Sequence, residues 1–141
     1  MPGIRHPLMI NGVPVVTAPA EIDATTADQL RTVLLHSAAR GHATVVVDMT
    51  RTRFCDSAGL TVLVRAHKRA IAEGGELRLI IAAGSAVARI FAITRLDLII
   101  PLCSSLDEVL SLPSAVIRPL RPRPPAGRRR SRQPGLPGRI L

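Results

Sequence analysis

The residues that could carry chemistry are concentrated between Val45 and Leu63, where the sequence reads VVVDMTRTRFCDSAGLTVL. Its first part is a short β-branched run suited to a buried strand, and the part from Ser57 onward has helical spacing. Asp56 and Ser57 are both residue types favoured at a helix N-cap. The sequence therefore predicts that Ser57 lies at a helix N-terminus at the end of the sheet, either as a simple cap or as a hydroxyl available for chemistry.

The enzyme interpretations of this serine lack the residues they require. A hydrolase nucleophile elbow needs Gly-x-Ser-x-Gly, and Gly59 matches this pattern but Cys55 does not. The one histidine after Ser57 is His67, ten residues along the same predicted helix and about 15 Å away at the usual rise, too far for a triad. His67 is instead predicted to be a satisfied, partly buried histidine. The carboxylate of Asp56 raises the thiol pKa of its neighbour Cys55, which makes that cysteine an unpromising nucleophile.

Cofactor sites also lack their motifs. The glycine pair at 74–75 precedes a strand rather than a helix, and no Gly-x-x-x-x-Gly-Lys occurs. The four histidines have no mutual ligand spacing for a metal. We therefore expect a protein that is not an enzyme and that needs no cofactor or metal.

The basic charge of the chain is concentrated at its C-terminal end. The formal net charge is +9, but residues 116–141 contain eight Arg and no acidic residue, so residues 1–115 carry about +1. We predict one domain over residues 1–113 and a disordered Arg/Pro-rich tail over residues 114–141. Phe54 and Phe91 are the whole aromatic content, too little for a base-stacking surface, so we expect no specific nucleic-acid binding.

Cysteine content and hydropathy point to a cytoplasmic protein. Cys55 and Cys103 are too few for a disulfide framework and are interpreted as reduced thiols. No run of about 18 apolar residues is free of charge, so a membrane span is not expected. The apolar N-terminal stretch loosely resembles a signal peptide, but Asn11, Gly12 and Pro14 interrupt it as a turn between strands does.

The elements that position Ser57 follow from periodicity and turn residues. Asn11-Gly12 predicts a hairpin at a sheet edge, between strands at residues 8–10 and 13–16. A first helix is predicted to begin with a capping box of Thr25 and Asp28 and to end at Gly41. The remaining predicted elements are strands at 43–49, 77–81 and 98–100, and helices at 57–73, about 85–94 and about 105–112. The inner face of the helix at 57–73 is predicted to carry Leu60, Leu63, Val64, His67, Ala70 and Ile71.

This alternation predicts an α/β fold. We expect a mixed β-sheet of four to five strands, with about four helices covering mainly one face.

Four segments of the chain together resemble one family. Residues 48–63 look like the signature of STAS domains in anti-sigma factor antagonists, where an Asp-Ser-Ser/Ala-Gly-Leu motif follows the central strand. Residues 21–27 (EIDATTA), 74–79 (GGELRL) and 93–97 (ITRLD) resemble further segments of that family. The four occur in order and with near-constant spacing, and the resemblance extends over about residues 8–112.

The resemblance implies a STAS-like fold and a binding module switched by phosphorylation. The unphosphorylated protein would bind an anti-sigma factor, typically a serine kinase of the histidine-kinase-like ATPase fold, and so release a sigma factor. The kinase would phosphorylate Ser57, and a PP2C-type phosphatase would reverse the modification. The motifs assign Ser57 as phosphoacceptor and partner contact, with Asp56, Asp23, Thr26 and, less directly, Glu21 as further partner-binding residues.

The chain departs from the family pattern at two positions. Ala20 replaces a Gly before Glu21, and Arg95 replaces a Gly at a helix C-terminus. A left-handed conformation at Arg95 would cost on the order of 1 kcal/mol. Two other functions stay open: a STAS subunit that regulates a membrane transporter without phosphorylation, and electrostatic nucleic-acid binding by the tail.

Overall fold

A computed structural model describes residue 4 and residues 6–111 of the chain. The predicted boundary at residue 113 and the predicted disordered tail at 114–141 lie outside the described residues. The described part begins with strands β1 (Leu8–Ile10) and β2 (Val13–Thr17), which form the predicted antiparallel hairpin. Asn11 and Gly12 have φ of 52° and 78°, the positive values that a two-residue hairpin turn requires.

The elements alternate along the chain as the sequence predicts. After the hairpin come β3 (Glu21–Ile22), α1 (Ala24–Ala39), β4 (Thr44–Asp48), β5 (Phe54–Cys55), α2 (Ser57–Ala72), β6 (Glu76–Ile80), α3 (Ala86–Ile93), a 3-10 turn (Leu96–Leu98), β7 (Leu102–Cys103) and α4 (Leu106–Ser111). Five strands form a sheet in the order β1-β2-β4-β6-β7, in which β1 is antiparallel to β2 and the other neighbours are parallel. The strands β3 and β5 form a separate parallel pair. The predicted mixed α/β sheet is confirmed.

The sheet separates two hydrophobic clusters. On one face, side chains such as Val47 and Leu79 pack with buried residues of α1, α2 and α3. On the other face, Val46 and Ile80 pack with Val109 of α4. The clusters lie on opposite faces because successive side chains of a strand point to opposite sides of the sheet. Three of the four helices in the described region cover one face, as predicted.

The face that contacts α4 also contains a buried ion pair. Glu76 and Arg78 on β6 are both buried, and the Arg78 Nε donates to Glu76 Oε2. One guanidinium nitrogen of Arg78 also donates to the backbone oxygen of Val109, at 2.8 Å. This network ties the short C-terminal helix to the sheet.

The predicted strand at residues 98–100 is wrong. Leu98 and Ile99 are 75% and 48% exposed, and Leu98 closes the 3-10 turn. The chain reaches the sheet later, where Leu102 pairs with Leu79 of β6. Of the predicted apolar run only Ile100 is buried, because the turn after α3 delays the return of the chain to the sheet edge.

The hairpin lies at one edge of the sheet, as predicted, with β1 as the edge strand and β2 paired to β4 from Val15 onward. Two smaller features differ from the predictions. The first helix begins two residues earlier than predicted, with Asp23 rather than Thr25 as its N-cap. Ile71 is 46% exposed because the last turn of α2 extends beyond the core.

Arg95, which replaces the family's glycine, adopts the left-handed conformation considered above. Arg95 follows α3 with φ of 66°, in the left-handed region that usually requires glycine. Its backbone N–H donates to the Ala92 oxygen at 3.2 Å and so closes the end of the helix. The chain therefore keeps the backbone geometry of a C-terminal glycine without the glycine.

Candidate functional site

The candidate site is built from two similar units, each a two-residue strand followed by an aspartate and a helix. The strands β3 and β5 pair in parallel, with Ile22 opposite Cys55. The Asp56 backbone N–H donates to the Ile22 oxygen at 3.0 Å. This pairing brings the two aspartates that follow the strands, Asp23 and Asp56, to the same end of the molecule. The short strands were not predicted, because two residues are too few to show alternation.

Asp56 and Ser57 form the start of α2 as the sequence predicts. Asp56 is the N-cap, and its Oδ1 accepts hydrogen bonds from the backbone N–H groups of Ala58 at 2.9 Å and Gly59 at 3.2 Å. Ser57 is the first residue of the helix and is exposed. Asp56 performs the capping, and the Ser57 hydroxyl forms no hydrogen bond with another described residue.

Asp23 and Thr26 form a capping box at the start of α1. The Asp23 Oδ1 accepts from the backbone N–H groups of Thr25 and Thr26, both at 3.0 Å, and Thr26 Oγ1 accepts from the Asp23 N–H at 2.9 Å. The hydrogen bond from the Thr26 backbone lowers the pKa of Asp23, so this carboxylate stays ionised near neutral pH. The same Thr26 hydroxyl donates to the Glu21 backbone oxygen at 2.9 Å and ties the helix start to β3.

Glu21 completes the group of residues assigned by motif. It lies on β3 opposite Phe54, and its exposed carboxylate is 3.9 Å from the guanidinium of Arg53. Glu21, Asp23, Thr26, Asp56 and Ser57 thus all lie around the paired strands and the two helix starts. Their assignment as partner contacts stays a prediction.

Gly59 is a residue of the site whose role the sequence did not reveal. A Cβ at this position would lie 2.6 Å from both the Cys55 Sγ and the Ile22 Cγ2. Its absence allows the first turn of α2 to pack directly on the β3–β5 pair, which fixes the position of Ser57. The requirement depends on Ile22, a residue distant in sequence, and was therefore not visible in the local motif.

The described thiol and imidazole nearest to Ser57 in the sequence are both held in structural settings. Burial and the neighbouring Asp56 carboxylate raise the pKa of the Cys55 thiol to about 11, so this thiol is protonated at neutral pH. His67 is buried, and its Nδ1 accepts from the Leu77 backbone N–H at 3.3 Å, as predicted for a satisfied histidine. Among the described residues, no group of three His, Cys, Asp or Glu side chains could hold a metal ion.

Comparison with known families identifies the domain. The family model described as the STAS domain matches residues 8–109. The chain belongs to the STAS domain family. The resemblance inferred from the sequence motifs is thereby confirmed. A search of curated proteins gives no match.

Solved structures of anti-sigma factor antagonists share this fold. One from Mycobacterium paratuberculosis is 27% identical, with a TM-score of 0.65 over 77% of this chain and 88% of that one. A STAS domain protein described as an anti-sigma-factor antagonist from Planctomyces limnophilus is 23% identical, with a TM-score of 0.64 over 77% and 96% of the two chains. The Bacillus protein SpoIIAA in its phosphorylated form is 19% identical, with a TM-score of 0.58 over 77% and 96%.

A structure of SpoIIAA in its unphosphorylated form is similar to the same degree. It is 17% identical to this chain, with a TM-score of 0.58 over 77% of this chain and 94% of that one. In the part of this STAS protein from residue 6 to residue 111, none of the helices combines the length and apolarity needed to cross a membrane.

Proposed function

We propose that this STAS protein is an anti-sigma factor antagonist whose binding to its partner is switched off by phosphorylation at Ser57. The observation that carries the proposal is the exposed Ser57 hydroxyl at the N-terminus of α2, directly after the capping Asp56. The 27% identical Mycobacterium paratuberculosis protein, described as an anti-sigma factor antagonist, supports the same role. SpoIIAA, solved in a phosphorylated and an unphosphorylated form, gives a precedent for phosphorylation of a protein with this fold.

The proposed partner is an anti-sigma factor that is also a serine kinase of the histidine-kinase-like ATPase fold. Binding of the unphosphorylated STAS protein releases a sigma factor, and transfer of phosphate to Ser57 ends the complex. A PP2C-type phosphatase restores the binding form. This cycle takes place in the cytoplasm and requires no catalytic residue of the STAS protein itself.

The electrostatics of the site supports phosphate as an off-switch. A phosphoserine carries about −1.5 to −2 charges at neutral pH. The N-terminus of α2 favours an anion, so the domain stays folded after modification. The carboxylate of Asp56 directly precedes Ser57 and that of Asp23 lies at the same end of the molecule, whereas the Glu21 carboxylate is paired with Arg53. At an effective dielectric near 20, a double charge about 5 Å from one carboxylate is repelled by several kcal/mol before screening.

A tight partner interface would have to bury the phosphate beside these carboxylates, where water screens the charges less. The repulsion therefore rises on binding, which predicts a large loss of affinity. If only about 3 kcal/mol survives screening, binding weakens roughly a hundredfold. We expect Ser57→Ala to bind the kinase and to resist release by ATP, because it cannot accept phosphate. Ser57→Asp is expected to fold normally and bind poorly, although its single charge mimics phosphate only in part. Pull-down from the native host and titration against the purified kinase measure these differences.

Ser104→Ala is the matched control, since Ser104 is an exposed serine that precedes a different helix, α4, and its hydroxyl donates to Glu108. This variant is expected to bind and to be released by ATP like the wild type. Phosphate incorporated at a residue other than Ser57, or equal binding by the phosphorylated and bare forms, contradicts the proposal. Recovery of a membrane transporter by both Ser57→Ala and Ser57→Asp would instead favour the transporter-regulating function.

A further inference from the structure

A cavity of about 420 Å³ lies between α1 and α2, outside the Ser57 site. It begins about one helical turn after Ser57, at Thr61, and extends to the C-terminal ends of both helices. Its volume lies within the range of about 300–1,000 Å³ that is typical of small-molecule sites. The proposed role of Ser57 does not use this cavity.

The inner surface of the cavity is apolar and is shaped by small side chains. Leu34, Val45 and Leu77 line it and are buried residues of the main core. The facing sides of the helices contribute Ala38 from α1 and Ala66 from α2, among other apolar residues. Because alanine side chains are short, the two helices leave space between them above the sheet.

The loops that follow α1 and α2 also line the cavity, and a close backbone contact holds these two loops together. Gly75, which follows α2, packs so tightly on Ala43 that a Cβ would lie 1.7 Å from the Ala43 oxygen. That oxygen accepts a hydrogen bond from the Glu76 N–H at 2.8 Å. Both Ala43 and Gly75 line the cavity, so closely packed and hydrogen-bonded backbone forms its wall at the C-terminal ends of the two helices.

Among the described residues, the edge of the cavity carries more positive than negative charge. Arg65 and Arg69 line it and are exposed, and neither forms an ion pair within the described residues. The other arginine of the lining, Arg31, is paired with Asp28. Glu76 also lines the cavity, but its carboxylate pairs with Arg78 on the α4-facing side of the sheet, so Glu73, four residues after Arg69, is the acidic side chain at the edge.

We propose that this cavity binds a single-chain amphiphile with an anionic head group, such as a fatty carboxylate or an alkyl phosphate. The apolar chain lies between the helices over Leu34 and Leu77, where its burial drives binding. The head group lies at the edge, where Arg65 and Arg69 donate to its oxygens. Arginine suits this contact because its planar fork matches carboxylate and phosphate oxygens.

The test measures binding of three probes with the same chain length: dodecanoate, dodecyl phosphate and dodecanol, each below its aggregation concentration. Isothermal titration with the full chain is expected to show binding of at least one anionic probe about fivefold or more tighter than dodecanol, because only the anions contact the arginines. A preference for dodecanoate identifies the fatty-acid source, and a preference for dodecyl phosphate identifies a lipid head group. Equal binding of dodecanol and both anions would overturn the proposal, as would no binding at all.

Variants locate the two halves of the ligand. The double variant Arg65→Gln/Arg69→Gln is expected to remove the preference for the anion while keeping dodecanol binding, and its exposed positions make misfolding a minor concern. Lys68→Gln, on the same helix but outside this lining, is the charge-matched control and is expected to bind as the wild type does. An unchanged anion preference in the double variant contradicts the proposed head-group contact.

Filling the cavity tests the position of the chain. Ala66→Leu is expected to abolish binding of all three probes, whereas Ala72→Leu, on the exposed last turn of α2, is the matched control. Circular dichroism establishes that each variant is folded. Tight binding of dodecanoate by a folded Ala66→Leu variant would show that the ligand lies elsewhere.

Discussion

Asp56 has one observed role, as a helix cap, and one predicted role, as a partner contact, and a motif alone does not separate them. The resemblance assigns it to the partner surface, while the structure shows its Oδ1 capping α2 through Ala58 and Gly59. A contact with a partner depends on the negative charge, whereas a cap depends only on a suitably placed oxygen. Asparagine keeps that oxygen and removes the charge, so it distinguishes the two roles.

We predict that Asp56→Ala lowers the free energy of unfolding by about 1 kcal/mol, because it leaves N-terminal N–H groups of α2 without their cap. Asp56→Asn is expected to change it by less than about 0.5 kcal/mol, since asparagine is an equally favoured cap. Urea denaturation followed by circular dichroism measures both values. Equal losses in the two variants would mean that the charge, rather than the cap, stabilises the helix start.

The residues of the site were predictable to the extent that their geometry is local. The position of Ser57 follows from cap preferences within a few residues, and the sequence predicts it correctly. The start of α1 was misplaced because both Asp23 and Thr25 are acceptable caps, and the network around Thr26 selects Asp23. The requirement for glycine at 59 and the cavity between the helices depend on tertiary packing, which spacing in one segment does not encode.

At the scale of whole elements, the main error concerns the segment after α3. An apolar run at residues 98–100 has the composition of a strand, yet its backbone first completes a 3-10 turn that leaves Leu98 and Ile99 exposed. The turn starts from the left-handed Arg95, a conformation that composition does not encode. The long helices and the parallel strands β4 and β6 were predictable because their apolar spacing is sustained over many residues.

The strained position at the end of α3 gives a prediction about stability. Arg95→Gly is expected to raise the free energy of unfolding by up to about 1 kcal/mol, because glycine removes the steric cost of the left-handed conformation. The gain is limited by the greater freedom of glycine in the unfolded chain. Thermal and urea denaturation measure the difference.

Ala92→Gly, one turn earlier on the exposed face of α3, is the matched control. At this helical position glycine is expected to destabilise the protein by about 1 kcal/mol. A destabilised Arg95→Gly variant would show that contacts of the arginine side chain outweigh the backbone cost.

At the scale of the whole molecule, the described residues contain two hydrophobic clusters, one on each face of the sheet. Both hydrophobic clusters consist of residues between Ile4 and Leu110, and the STAS family model ends at residue 109. Helix α4 is fixed to the sheet by Val109 and by the hydrogen bond from Arg78 to its backbone oxygen. Most of the net positive charge lies outside this region. Residues 116–141 contain eight of the 18 arginines and no acidic residue.

This division predicts that residues 116–141 contribute to charge but not to folding. Deleting them is expected to shift the thermal midpoint by less than about 5 °C, which corresponds to roughly 1 kcal/mol for a domain of this size. The net charge falls from +9 to about +1, so the truncated protein should elute from a cation exchanger at much lower salt. A larger drop in the midpoint would mean that the segment packs on the domain.

Salt-sensitive binding to DNA that disappears with the deletion would support the nucleic-acid function, because eight arginines without acidic neighbours can contact phosphates without sequence selection.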